Sequence, residues 1–421
     1  MIEKHNFHWQ GDFRYDFPLK RELFDTLVKE TSSKQIISLT GLRRTGKTTI
    51  LKQLIDYLIL VNKVKREHIL FYSFDEEQPL ISSLIKEYEA KMGQDIIKMP
   101  GKVYVFFDEI QKLPNWQNQI KFFYDNYKNI KFFVSGSSSL FIRKQAQESL
   151  AGRIYEFILS PLSFKEFLIF RGKEEFLKKP GLFSENLQKE FLAYQKRQFL
   201  EIINETEEKS GQYVKTIMEK IVYQDIPKIF PIAHEDLLMK ILKIIASNPG
   251  MLSDYESLSK ELGISRITLS NYFFYLEESF LVKKMYNFST NRLTSEKKMK
   301  KFYLTCTSFF TFLNNNIEES KLIENLIVIT GSNKFFWRTP QQYEVDIVQT
   351  PGQKIIPLEV KYKENISDKD THNLVRFCEK FAVPEGIMVT KNKIGRTELK
   401  LSGKGINLKF IPAWKWLLEQ P

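Results

Sequence analysis

Eight residues constrain this chain more than any others: Gly41-Leu42-Arg43-Arg44-Thr45-Gly46-Lys47-Thr48 fits the pattern G-x-x-x-x-G-K-[ST]. The two glycines let the backbone turn tightly and aim its N–H groups at phosphate oxygens. Lys47 is placed to reach the β- and γ-phosphates of a nucleotide, and Thr48 to offer a hydroxyl to Mg²⁺. Arg44, Thr45 and Thr49 join Gly41, Gly46, Lys47 and Thr48 in the expected nucleotide-binding set. An apolar run (Ile36, Ile37, Leu39) precedes the loop, and a helical pattern, Thr48–Val61, follows it. The motif requires that order of strand, loop and helix, and the helix N-terminus adds a dipole that favours an anion. ATP and Mg²⁺ are the expected cofactors.

A second apolar run, Val103-Tyr104-Val105-Phe106-Phe107, ends in Asp108-Glu109. A buried strand of this kind presents its carboxyl end to a ligand crevice. Asp108 is expected in the Mg²⁺ shell, and Glu109 is expected to orient and deprotonate the attacking water. Between loop and acids lies another strand-like run, Ile69–Phe74. Beyond them Lys131–Ser135 runs into Gly136-Ser137-Ser138-Ser139, where Ser137 or Ser138 could sense the γ-phosphate. Leu150-Ala151-Gly152-Arg153 then offers an arginine, just ahead of a last apolar run, Ile154–Leu159. The arginine could stabilise charge on the transferring phosphate in cis, or in trans within a homo-oligomer.

Alternation of such runs with helical patterns predicts an α/β domain with a largely parallel P-loop sheet over 1–165. Residues 166–235 read as a charged helical lid or linker. Residues 236–290 read as three helices plus a short β segment, and the polar, basic stretch 287–300 as a linker. Residues 291–421 form the last expected domain, with a helix near 318–329 and strand-like runs at 335–339, 343–349 and 354–362.

The quoted motifs, together with Phe106-Phe107-Asp108-Glu109-Ile110-Gln111 and Ser160-Pro161-Leu162-Ser163-Phe164, resemble a large prokaryotic family of AAA-type ATPases. That family is related to the STAND-like archaeal ATPases and carries a C-terminal domain of unknown function. The resemblance covers most of the chain. It implies ATP binding and hydrolysis, and an ATPase core followed by helices, a winged helix and a nuclease-like fold.

The middle of the chain supports such an order from its own residues. Ser257–Leu262 is a short helical pattern ending at Gly263, and Ser265 caps a second helix from Arg266 to about Ser279. Helix, glycine turn and helix is the helix-turn-helix pattern, with Leu281–Met285 as the wing. If the unit reads DNA, Arg266, Thr268 and Asn271 would face the bases, and Lys283 and Lys284 would meet phosphates. Tyr272, Phe273, Phe274 and Tyr275 give the same unit a heavy aromatic load, which suits a protein-interaction or lid module.

Further on, Tyr343–Val348 and Ile356–Lys361 flank a Pro351-Gly352 turn and alternate with period two. Asp346 and Glu359 can therefore lie on neighbouring strands, close enough to share a divalent ion. Glu324 stands on the helical pattern upstream. An acid from a helix, an acid from a strand and Glu359-Val360-Lys361 on the next strand resemble the PD-(D/E)XK nuclease superfamily. The resemblance implies that Glu324, Asp346 and Glu359 bind the metal, while Lys361 steadies the attacking water. Trp337-Arg338 also matches the family's C-terminal domain, whereas Tyr303-Leu304-Thr305-Cys306 lacks an aspartate expected there. Such folds also serve as inactive binding platforms.

Charge and composition limit the rest. Lys and Arg number 63 against 51 Asp and Glu, a net charge of +12. Residues 283–301 hold seven Lys/Arg and one Glu, and residues 391–409 hold six and one. This balance favours an anionic partner such as DNA, and a protein partner is the alternative. Cys306 and Cys378 are the only cysteines, which excludes a disulfide framework and a cysteine zinc site and fits a reducing cytoplasm. No apolar run approaches the roughly 18 residues that span a bilayer, and the charged start, Met1 to Phe17, does not read as a signal peptide. The expectation is a soluble, cytoplasmic ATPase that either acts on DNA, with metal-dependent nuclease capacity, or switches a protein partner.

Overall fold

Five of the apolar runs become strands: β1 (Ile36–Thr40), β2 (Ile69–Ser73), β3 (Val103–Asp108), β4 (Ile130–Gly136) and β5 (Ile154–Ile158). They form one parallel sheet in the order β2-β3-β4-β1-β5. Every residue of β1, β3 and β4 is buried, because parallel strands have helices on both faces. Alternate side chains therefore enter two cores. Ile37, Leu39, Phe106 and Phe133 pack with Ile50 and Leu54 on one face. Ile36, Val105, Phe107 and Val134 pack with Leu84 and Trp116 on the other. Since β4 lies beside β1 while β2 and β3 lie beyond it, the carboxyl ends of β1, β3 and β4 meet where the strand order reverses. Open α/β sheets bind ligands at this point.

The computed structural model describes residues 1–137, 150–291, 295, 299–401 and 404–420. It divides into two units, Met1–Pro161 and Leu162–Pro421. The helical stretch expected as a separate lid is part of the second unit. Phe164, Phe167, Leu187, Phe191 and Tyr194 share one core with Ile323, Leu326 and Trp414. Ser163 opens that stretch with a capping box to Glu166.

The second unit is organised by a nine-stranded mixed sheet in the order β13-β14-β12-β11-β10-β9-β7-β8-β6. Its strands are β6 (Met251–Leu252), β7 (Val282–Asn287), β8 (Lys300–Leu304), β9 (Phe335–Arg338), β10 (Glu344–Gln349), β11 (Ile356–Lys361), β12 (Glu385–Thr390), β13 (Gly395–Leu401) and β14 (Lys404–Pro412). The helix Tyr255–Leu262 ends at Gly263, whose φ of 68° favours glycine, and Ser265 caps the helix Arg266–Glu278. β7 then pairs antiparallel with β8 on one side and parallel with β9 on the other. The sheet thus runs without a break across the boundary expected at 290/291. Lys300 and Lys301 gave the start of β8 the look of linker, yet Lys301 is buried. No described helix is long and apolar enough to cross a membrane.

Candidate functional site

The phosphate loop leaves the carboxyl end of β1 in the shape its glycines allow. Gly41 has φ 145°, and a Cβ there would stand 2.3 Å from the Leu159 carbonyl oxygen. Gly46, at φ 95°, caps the helix Lys47–Leu60. The Thr45 hydroxyl donates to the Leu42 carbonyl (2.8 Å). The buried Lys47 ammonium donates to the carbonyls of Gly41 (3.1 Å) and Leu42 (2.9 Å). Arg44 is exposed and left-handed at φ 67°, and Thr49 is half-buried one residue inside the helix.

One member of this site is invisible to motif reading. Arg21, also buried, donates to the Thr45 carbonyl (2.6 Å) and to the carbonyls of Ser160 (2.7 Å) and Pro161 (3.3 Å). It ties the phosphate loop to the end of the first unit. Its partners lie 24 and 139 residues away along the chain, so no local spacing marks it.

The two acids at the end of β3 stand beside the loop. The Thr48 hydroxyl donates to Asp108 Oδ2 (2.7 Å), and the Ser135 hydroxyl bonds Asp108 Oδ1. A hydroxyl and a carboxylate in contact supply the hard oxygen ligands that Mg²⁺ takes, so these residues fit the ion. Glu109 follows at φ 52° and caps the 3₁₀ turn Ile110–Lys112. Burial raises the pKa of its carboxyl, and the Lys47 charge works against that rise. Glu109 Oε2 accepts from Gln111 Nε2 (2.6 Å), which also donates to Ser137 Oγ (3.2 Å). Ser138, the other candidate phosphate sensor, lies outside the described residues.

Arg153 is a correction. Parallel pairing sets Ile154 level with Ile36, and the Ile36 N–H donates to the Arg153 carbonyl (2.8 Å). Arg153 therefore stands at the amino end of the sheet, while the loop leaves its carboxyl end. At about 3.3 Å per residue the two are roughly 15–20 Å apart. The guanidinium bonds Asp125 instead (2.9 Å), so it does not serve the nucleotide of its own chain.

The acids of the second unit are brought together, but with their own cations. The helix Glu319–Ile329 supplies Glu324, β10 supplies Glu344 and Asp346, and β11 supplies Glu359 and Lys361. From β8 come Lys301 and Tyr303, which sequence reading missed. Lys301 pairs with Glu344, as does Arg338 (2.6 Å), and Lys361 pairs with Glu359 (2.7 Å). The Tyr303 hydroxyl donates to Glu324 (2.9 Å), and the Val360 N–H to Asp346 (2.8 Å).

Burial, and then the neighbouring Asp346, pushes Glu324 up to about 7 and Glu359 up to about 8. Burial raises Asp346 as well, against the opposing charges of Lys301 and Lys361. Burial alone would discharge Lys301, but Glu324, Glu344 and Asp346 outweigh it and raise its pKa. Glu359 Oε2 is buried without a hydrogen-bond partner, while its Oε1 is paired with Lys361.

Among the described residues, no three Asp, Glu, His or Cys side chains converge in a way that could hold a metal ion. In this cluster Glu324, Asp346 and Glu359 are each bonded by a partner of their own: the Tyr303 hydroxyl, the Val360 N–H and Lys361.

The DNA-facing set also changes. Lys283 donates to the carbonyls of Val328 (2.9 Å) and Gly331 (3.2 Å), and burial lowers its pKa to about 8. Lys284 is paired with Glu277. Both wing lysines therefore have partners within the fold. The Thr268 hydroxyl shares a hydrogen bond with Ser265 (2.9 Å) at the helix cap, while Arg266 and Asn271 are exposed.

Comparison with known proteins fits this division. Residues 33–168 match the family model of an AAA domain, which takes in the phosphate loop, Asp108 and Glu109. Residues 201–320 and 316–412 each match a domain of unknown function. The first unit is an AAA-type P-loop ATPase domain. Over nearly the whole chain the protein is similar to an uncharacterized protein of Methanocaldococcus jannaschii, 26% identical over 440 residues, spanning 96% of this chain and 89% of that one. An uncharacterized protein of Haemophilus influenzae is 22% identical over 405 residues, spanning 92% and 95%. Among solved structures, a Walker-type ATPase of Pyrococcus abyssi aligns with a TM-score of 0.47 at 17% identity, over 71% of this chain and 97% of that chain.

Proposed function

We propose that this protein binds ATP with Mg²⁺ at the loop Gly41–Thr48 and hydrolyses it. The observation that carries the reading is the contact of Thr48 with Asp108 (2.7 Å), with the buried Glu109 next in the chain. Thr48 and Asp108 would hold the Mg²⁺, whose chemistry there is to neutralise charge on the β- and γ-phosphate oxygens. Lys47 exchanges its neutral carbonyl acceptors for charged phosphate oxygens, which bind an ammonium more strongly. Glu109 takes a proton from water as the water oxygen bonds the γ-phosphorus and the bond to the β-phosphate oxygen breaks. The products are ADP and phosphate. A carboxyl raised by burial suits this task, since a general base works best with its pKa nearer the working pH. Nucleotide affinity and turnover test the reading together. Lys47→Ala loses affinity, whereas Glu109→Gln keeps affinity and loses turnover about 10²–10⁴-fold. Full turnover in the glutamine variant would assign the water to another group.

A second reading concerns the output. The helix Arg266–Glu278 exposes Ile267 (75%) and Phe274 (40%), seven residues apart and so on one face, while both wing lysines turn inward. This favours a nucleotide-dependent switch that docks a protein over one that reads a duplex. Hydrolysis measured with and without duplex DNA separates the two: indifference supports the switch, and clear stimulation supports DNA.

A further inference from the structure

We propose that Gln111 is a positioning residue that couples the orientation of Glu109 to Ser137, so that a phosphate reaching Ser137 sets the base for attack. This rests on the hydrolytic reading above. The geometry begins with the backbone. β3 ends at Asp108, Glu109 takes the left-handed conformation at φ 52°, and the turn closes as the Lys112 N–H donates to the Glu109 carbonyl (3.1 Å). The turn carries the Gln111 side chain back onto Glu109. Its amide nitrogen then divides two hydrogens between two acceptors, Glu109 Oε2 (2.6 Å) and Ser137 Oγ (3.2 Å). Gln111 Oε1 is buried without a hydrogen-bond partner, so the amide is held in place by its donor side.

Ser137 stands where a terminal phosphate would be felt. It follows Gly136, the residue of β4 paired with Thr40 of β1, which puts it level with Gly41 of the phosphate loop. Its oxygen accepts from Gln111 while its own O–H remains a donor. A phosphate oxygen that takes this proton polarises the serine, and the serine then holds Gln111 more firmly, as chained hydrogen bonds strengthen one another. Gln111 in turn fixes one carboxylate oxygen of Glu109 and leaves the other for water.

The test compares wild type, Gln111→Ala, the packing-conserving Gln111→Met, and Ser137→Ala in the full chain. It measures ADP affinity, KM for ATP and kcat. The Gln111 variants should lose about 10- to 100-fold in kcat, the worth of a hydrogen bond to a charged group. Their KM and ADP affinity should stay level. Ser137→Ala should move the same quantities less, and little further once Gln111 is already changed. A merely structural role would disturb ADP affinity and KM along with kcat, and that result overturns the proposal. Unchanged kcat in Gln111→Met beside an active wild type also overturns it. A wild type that binds ATP and never turns it over removes the hydrolytic reading itself, and this proposal with it.

Discussion

Two groups of acids sit in this molecule, each beside a buried lysine, and they are built to opposite ends. At the close of β3, Asp108 touches Thr48, and Lys47 donates to the carbonyls of Gly41 and Leu42, which a phosphate can replace. In the second unit Lys301 and Arg338 share the Glu344 carboxylate, and Lys361 is paired with Glu359, whose pKa burial raises. Replaceable partners suit a site that must bind and release a charged ligand. Partners of full opposite charge suit a cluster that must stay buried, since a buried ion is costly unless it is paired. Residue types alone do not separate the two groups; what each lysine bonds to does.

The largest effect that would sharpen the contrast is on stability. Lys301→Met leaves Glu344 with Arg338 alone and should cost about 3–5 kcal/mol in denaturant unfolding of the second unit, as breaking a buried pair usually does. Nucleotide affinity should be untouched, and a neutral outcome would mean that Lys301 is not the counter-ion of the cluster.

The next effect is pH dependence. Glu359 is raised from the ordinary 4.5 to about 8, by burial first and then by Asp346. Between those values the folded chain holds a proton that the unfolded chain has released. Stability should therefore fall as pH rises through that window and level off above it, by about 2–4 kcal/mol for a shift shared within the cluster. Glu359→Gln should flatten most of the fall, with a remainder from Glu324 between 4.5 and about 7. Thermal melts from pH 5 to 9 read both, and stability that rises across the window would contradict the assignment.

These two clusters also mark how far the sequence could be read. All five strands of the first sheet and the loop between β1 and its helix were legible, because apolar runs and an eight-residue spacing are local signals. Arg21 was not, because its contacts are made with carbonyls far along the chain. Arg153 looked catalytic by proximity in sequence, and only the parallel register of β5 with β1 puts it at the wrong end of the sheet. β8 was lost because a lysine that is charge-paired in the interior imitates a solvated one. Glu324, Asp346, Glu359 and Lys361 were singled out by a resemblance laid over a hairpin pattern, but the two β8 side chains that bond their cluster, Lys301 and Tyr303, were not.

Smaller effects follow. Arg21→Ala removes charged hydrogen bonds behind the phosphate loop and should weaken nucleotide binding by about 1.5–3 kcal/mol, read by calorimetry with ADP. Unchanged affinity would make Arg21 a brace for the end of the first unit only. Smallest of all, Lys283→Ala combined with Lys284→Ala should leave the salt dependence of any duplex binding where it was, since both ammoniums are already bonded within the fold. A slope shallower by about 0.9 per lysine would return the wing to a phosphate-binding role.

A Mn²⁺ titration followed by electron paramagnetic resonance tests the contrast most directly, run on the nucleotide-free chain and on the chain loaded with a slowly hydrolysed ATP analogue. The account predicts tight Mn²⁺ only with nucleotide, lost in Asp108→Ala and unchanged in Asp346→Ala. Tight Mn²⁺ on the nucleotide-free chain that disappears in Asp346→Ala would contradict it and make the second cluster a metal site.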